Sequence, residues 1–115
     1  MRELSTSRLQ GAFYLVTGIW PLLHMRSFEA VSGPKTDTWL VRAAGLLIAV
    51  IGYAQLRAKE TPESLEQARR LGTGTAGALG SIDVFYALRG RISKVFLLDA
   101  AVEAAFLARW LRRRT

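Results

Sequence analysis

Four apolar stretches, each close to the length of chain that crosses a lipid bilayer, fill most of the 115 residues of this sequence. The first two are the clearest, because residues 9–23 carry no charge and residues 38–56 carry only Arg42. The segment that follows, residues 57–70, is dense in charge of both signs. A soluble amphipathic helix would spread its charges along one face every three or four residues. The pattern therefore predicts helices embedded in a membrane.

Glycine residues inside the apolar stretches support this interpretation. In water each glycine would cost a helix about 1 kcal/mol relative to alanine, whereas in lipid small residues let helix backbones approach closely. The first two stretches hold two glycines each and the third holds three: Gly11, Gly18, Gly45, Gly52, Gly74, Gly77 and Gly80. We expect the glycine faces of the first two helices to join copies into a homo-oligomer, or to join the chain to a larger membrane complex.

These features predict an all-α protein, a single domain built as a four-transmembrane-helix bundle. The helices are expected at about residues 7–25, 37–57, 71–89 and 93–112. Residues 5–7 and Ser93 are expected to cap the first and fourth helices. Thr61 and Pro62 begin a short amphipathic piece that we place at the membrane surface. Three tryptophans near predicted helix ends are expected at the headgroup level: Trp20, Trp39 and Trp110.

The distribution of basic residues predicts the orientation of the bundle. With four spans, the two termini and the loop after the second helix lie on one side, and they hold ten of the sixteen Lys and Arg residues. The positive-inside rule then places both termini in the cytoplasm. We expect a multi-pass protein of the cell inner membrane.

Composition excludes several classes of function. The net charge of +7 suggests nucleic acid, but residues 112–114 follow a hydrophobic helix directly and lack interleaved aromatic residues. Contact with anionic lipid headgroups explains that arginine run better. The chain has no cysteine and one histidine, so disulfides and thiolate chemistry are excluded. We expect no metal site, no cofactor and no nucleic-acid partner.

Polar residues near the non-cytoplasmic ends of the helices form the candidate binding site. Asp83 lies about 9 Å from its predicted helix end at a rise of 1.5 Å per residue, and Asp99 lies at a similar depth. Glu103 is one turn deeper than Asp99 on the same helical face. The predicted layer has five ionisable members: His24, Arg42, Asp83, Asp99 and Glu103.

The layer is open to several interpretations. In a structural one, Asp83 or Asp99 neutralises Arg42 and so fixes helix order. In a second, the layer is a pocket, open to the outer leaflet, for a small apolar or lipid-like ligand, with residues 27–35 folded over it as a lid. A membrane-embedded acid–base enzyme acting on a lipid-like substrate, with a carboxyl group beside His24, and a proton-coupled small transporter are further alternatives.

Three segments stand out in the predicted helices. They are a glycine-bearing part of the first helix, an aspartate next to aromatic residues in the third, and an acidic pair in the fourth: residues 11–18 (GAFYLVTG), 82–86 (IDVFY) and 98–103 (LDAAVE). Together they resemble uncharacterised small bacterial membrane proteins of the DoxX-like type. The resemblance implies a small inner-membrane four-helix bundle and no settled activity.

Overall fold

The computed structural model describes residues 2–33, 38–90 and 94–112. These residues form five α-helices, which confirms the predicted all-α class. In chain order the helices are α1 (Arg2–Leu23), α2 (Met25–Ser32), α3 (Thr38–Leu56), α4 (Pro62–Leu88) and α5 (Phe96–Leu111). The four longer helices correspond to the four predicted apolar stretches, and α2 is an addition to them.

One of the described helices, α3, combines the length and the apolar composition of a membrane span, and 22% of its apolar segment is buried inside the protein. The other long helices differ from it in ways visible in the sequence. Both α1 and α4 begin with charged residues, and α5 is only 16 residues long. Length and composition thus indicate one candidate span among the described residues.

Glycine allows α1 and α3 to pack with their backbones in contact. A Cβ atom on Gly11 would lie 2.6 Å from the carbonyl oxygen of Gly52, and one on Gly18 would overlap the carbonyl oxygen of Gly45. These four glycines therefore join two helices of the same chain. Their faces cover each other within the chain, and association with further copies or with a larger membrane complex stays a prediction.

Helix α4 begins nine residues earlier than the sequence predicted. Pro62 occupies its first turn, and the side-chain oxygen of Thr61 accepts a hydrogen bond of 3.2 Å from the backbone N–H of Ser64. No glycine or proline interrupts the chain between residues 63 and 71, and Glu66 pairs with Arg69 and Arg70 one turn on. The predicted surface piece is therefore continuous with the third apolar stretch.

Helix α2 folds back from the end of α1 within residues predicted as a loop. Pro21 lies inside α1, which ends two residues later, and the Nδ1 atom of His24 accepts a 3.2 Å hydrogen bond from the N–H of Ser27. The indole N–H of Trp20 donates to the Ser27 hydroxyl at 2.8 Å, and its ring meets Phe28 edge-to-face. These contacts hold α2 across one end of the bundle.

Helix α1 starts at Arg2, so residues 5–7 lie inside the helix and do not cap it. Thr6 and Ser7 are instead fully buried, and the Ser7 hydroxyl donates a 2.7 Å hydrogen bond to the carbonyl oxygen of Gln55. Ser93, the predicted cap of the fourth helix, lies outside the described residues.

Polar side chains fill much of the interior, while large apolar side chains cover the outside. The largest fully buried side chains include two glutamines, a glutamate, a threonine and a serine: Gln10, Gln55, Glu103, Thr6 and Ser7. Exposed large apolar residues occur on all four long helices, among them Val16, Leu47, Val50, Phe85 and Leu98. Water-soluble domains show the opposite distribution.

The close approach of α1 and α3 predicts how glycine substitutions affect stability. Gly18→Ala places a methyl group against the backbone of α3, where no flexible side chain can move away, and should lower the free energy of unfolding by about 1–3 kcal/mol. Gly74→Ala, in α4, meets open space and should change it by less than about 1 kcal/mol. Unfolding of both variants in detergent micelles, followed by circular dichroism, tests this. Equal stability of the two would contradict the proposed packing.

Candidate functional site

A partly enclosed cavity of about 260 Å³ lies inside the bundle. All five helices contribute to its wall, and Phe28 is the lining residue from α2. The wall is mainly apolar and aromatic, and its polar members are a tyrosine, a threonine and three carboxylic acids: Tyr14, Thr17, Asp83, Asp99 and Glu103. We call this space the carboxyl cavity.

The three acids of the carboxyl cavity form one cluster. Asp99, which is half-buried, lies within hydrogen-bonding reach of both Asp83 and Glu103, which are buried. Because a carboxylate has no hydrogen to donate, two carboxyl groups can bond to each other only if they share a proton. Asp83 Oδ2 and Glu103 Oε2 have no hydrogen-bond partner among the described residues. The cluster therefore presents unused oxygen atoms in a buried site.

Arg42 does not neutralise this cluster. It is exposed, and among the described residues that line the carboxyl cavity none is basic. The cavity-lining face of α3 includes Val41, Ala44 and Ile48 at spacings of three and four residues. Arg42 follows Val41 by one position, which turns its side chain by about 100° around the helix axis. The predicted ion pair with Asp83 or Asp99 is therefore absent.

His24 also lies apart from the acids. It is exposed, follows the last residue of α1 and caps α2 with its side chain. The structure thus brings together three of the five residues predicted for the layer, Asp83, Asp99 and Glu103, and separates His24 and Arg42 from them.

A network of amide and indole groups lies next to the carboxyl cluster, toward the termini. Gln10 Oε1 accepts hydrogen bonds of 2.9 Å from both Gln55 Nε2 and Trp110 Nε1. Gln10 Nε2 donates to the Gly72 carbonyl oxygen at 3.0 Å and to the Tyr14 hydroxyl at 3.2 Å. One side chain from α1 thus connects α3, α4 and α5. We call Gln10, Gln55 and Trp110 the amide network.

Tyr14 connects the amide network to the acids. Its hydroxyl group donates a 2.5 Å hydrogen bond to Glu103 Oε1 and accepts the one from Gln10. The Tyr14 side chain is 1% exposed, and its ring packs against Phe13 and Phe106. The orientation of Glu103 is thereby fixed through one of its oxygen atoms, while the other stays unpaired.

The sequence prediction missed Tyr14 and the amide network. A signal for them exists, since Gln10 and Gln55 are strongly polar side chains inside otherwise apolar stretches, and Gln10 and Tyr14 are four residues apart on one helical face. Trp110 was placed at the headgroup level, but it is 1% exposed and bonded in the interior. The prediction relied on its position near a helix end, but at that end the side chain of Trp110 packs into the interior, against Ala58 and Ala68.

Comparison with known protein families, curated proteins and solved structures gives no match to this chain. The resemblance to DoxX-like proteins stays a prediction from the sequence.

The amide network predicts a strong effect of one glutamine. Gln10→Leu removes the shared partner of Gln55, Trp110 and Tyr14 and should lower the free energy of unfolding by about 1–3 kcal/mol for each buried group left unsatisfied. Gln67→Leu, an exposed position of α4, is the matched control and should stay within about 0.5 kcal/mol of the parent. Chemical unfolding in detergent measures both, and an unchanged Gln10→Leu variant would refute the role of the network.

Proposed function

We propose that this chain is a small multi-pass protein of the inner membrane that binds an apolar molecule carrying a positively charged amine. In this proposal α1, α3, α4 and α5 span the membrane as a four-helix bundle with cytoplasmic termini, and the amine lies in the carboxyl cavity. The bundle acts as a binding or accessory module. The observation that carries the proposal is the cluster of three acids, without a basic partner among the described lining residues, in an apolar cavity.

The distribution of polar and apolar side chains supports the membrane location. A soluble bundle buries its large apolar residues and exposes its glutamines and acids. Here Leu46, Leu47 and Val50 of α3 are exposed, whereas Gln55 of the same helix is 1% exposed. Lipid favours this arrangement, since polar groups find hydrogen-bond partners only inside the bundle and apolar side chains are stable in contact with lipid.

The charge of the carboxyl cavity supports a cationic ligand. Taking several acids out of water is costly, and acids inside membrane bundles usually mark a binding site or a proton pathway. An ammonium group has several N–H donors and no acceptor, which suits the unpaired oxygens of Asp83 and Glu103. No described group of acids and histidines has the arrangement of a metal site. An organic cation is therefore the better match.

The rest of the wall supports an aromatic or aliphatic body attached to the amine. Phe13, Phe28 and Phe96 line the cavity, and aromatic faces attract cations as well as apolar groups. A volume of about 260 Å³ lies just below the range of roughly 300–1,000 Å³ that is typical for drug-sized ligands. The cavity suits a small amine with a single ring or a short chain.

Proton-coupled transport is a second candidate, favoured by the close grouping of the three acids. A cation bound between Asp99 and its neighbours favours their ionised form, so binding of the amine is linked to the loss of protons from these acids. The acid–base enzyme is less well supported, because His24, its expected partner, lies outside the cavity lining.

Binding of benzylamine and of its neutral analogue benzyl alcohol tests the proposal. With the protein in lipid nanodiscs, calorimetry should show benzylamine binding at least about tenfold more tightly than benzyl alcohol, since a charge-assisted hydrogen bond contributes about 1.5–3 kcal/mol. Glu103→Gln should remove that preference. Glu63→Gln, in the exposed first turn of α4, is the control and should retain it. Equal binding of the two compounds to the parent protein would overturn the proposal.

A further inference from the structure

A second, open space lies on the outer surface of the bundle, between α4 and α5. It is a groove of about 800 Å³ with a floor of small residues, which include Gly77, Gly80 and Ala104, and with Phe85, Leu88 and Leu107 along its sides. It follows α4 from Ala76 to Leu88, a distance of about 18 Å at 1.5 Å per residue. We call it the α4–α5 groove.

Glu103 belongs to the wall of the α4–α5 groove and also to the wall of the carboxyl cavity. The residue is 1% exposed, and its Oε2 atom has no hydrogen-bond partner among the described residues. Gly80 lies directly over it, since a Cβ atom there would be 3.4 Å from Glu103 Cβ. A buried, unsatisfied acid therefore lies between an internal cavity and a groove on the lipid-facing side.

Charge in the α4–α5 groove gives a bound molecule an orientation. Arg89 lies at the end of the groove, with its guanidinium group 4.4 Å from the centre of the Phe85 ring. A positively charged head group is repelled there and attracted at Glu103, farther along the groove. The apolar wall between Gly80, which lies over Glu103, and Arg89 is about 13 Å long at 1.5 Å per residue and suits an alkyl chain.

From this geometry we propose that the site also binds single-chain amphiphilic amines whose chain is too long for the carboxyl cavity, with the ammonium group at the acid cluster and the alkyl chain in the α4–α5 groove. The inference rests on the proposed function and adds the substrate class and the route of entry. The amine reaches Glu103 from the groove beside Gly80, where no side chain separates the two. A larger residue at position 80 covers Glu103 and blocks this approach.

The test compares a short and a long amine on matched glycine variants in lipid nanodiscs. Gly80→Leu fills the groove next to Glu103, whereas Gly74→Leu lies on the same helix where an added side chain meets open space. Loss of contact with as few as two methylene groups lowers affinity about tenfold. Gly80→Leu should therefore weaken dodecylamine binding at least about tenfold and leave benzylamine within about twofold. Gly74→Leu should bind both amines as the parent does.

The outcomes separate this inference from the proposed function. If the parent protein fails to bind benzylamine, both proposals fall. If benzylamine binds but Gly80→Leu and Gly74→Leu bind dodecylamine equally, the groove holds no alkyl chain and only this inference falls. A dimer in native mass spectra that Gly80→Leu disrupts would also overturn it, because a second copy would then occupy the groove. Should Gly80→Leu fail to fold, Ala104→Leu fills the groove from α5 and carries the same expectation.

Discussion

The hydrogen bond from the Tyr14 hydroxyl to Glu103 joins the amide network to the acid cluster. On one side of it, Gln10 links Tyr14 to Gln55 and Trp110 and thereby to the other long helices. On the other side, Glu103 has one oxygen held and one unpaired. In a low-dielectric interior, a buried polar atom without a hydrogen-bond partner is unfavourable. The hydrogen bonds and packing around Glu103 therefore have to offset the free energy of its unpaired oxygen.

Close backbone packing complements this polar interior. Gly11 and Gly18 bring α1 against α3, while the amide network ties that pair to α4 and α5. Gly72 is part of the same arrangement, since a side chain there would overlap the atoms of Gln10 and Trp110. Hydrogen bonds and small residues therefore hold the bundle together, while large apolar side chains remain on its surface. Small residues and hydrogen bonds between the helices, with apolar side chains on the surface, are the arrangement that a membrane environment favours.

The sequence predicted the helical class and the grouping of the three acids, because helical spacing and chain depth are readable from residue positions alone. Depth along a helix gives no information about rotation around its axis, however. Arg42 was therefore assigned to the same layer, although its side chain is exposed and points away from the cavity-lining face of α3. The glycines were recognised as contact points, but one sequence cannot tell a contact within a chain from one between copies. Trp110 was misplaced for a related reason, since only the packing of α5 shows that its indole N–H points inward to Gln10.

Infrared difference spectroscopy of the carboxyl groups shows whether a bound amine lies at the acid cluster. Protonated acids absorb at a frequency distinct from that of carboxylates, and an ammonium group bound between Asp83, Asp99 and Glu103 would favour their ionised form. The account predicts that saturating benzylamine reduces the protonated-carboxyl band of the parent protein and that Glu103→Gln diminishes this change. A band that stays constant while benzylamine is bound would contradict binding of the amine at these acids.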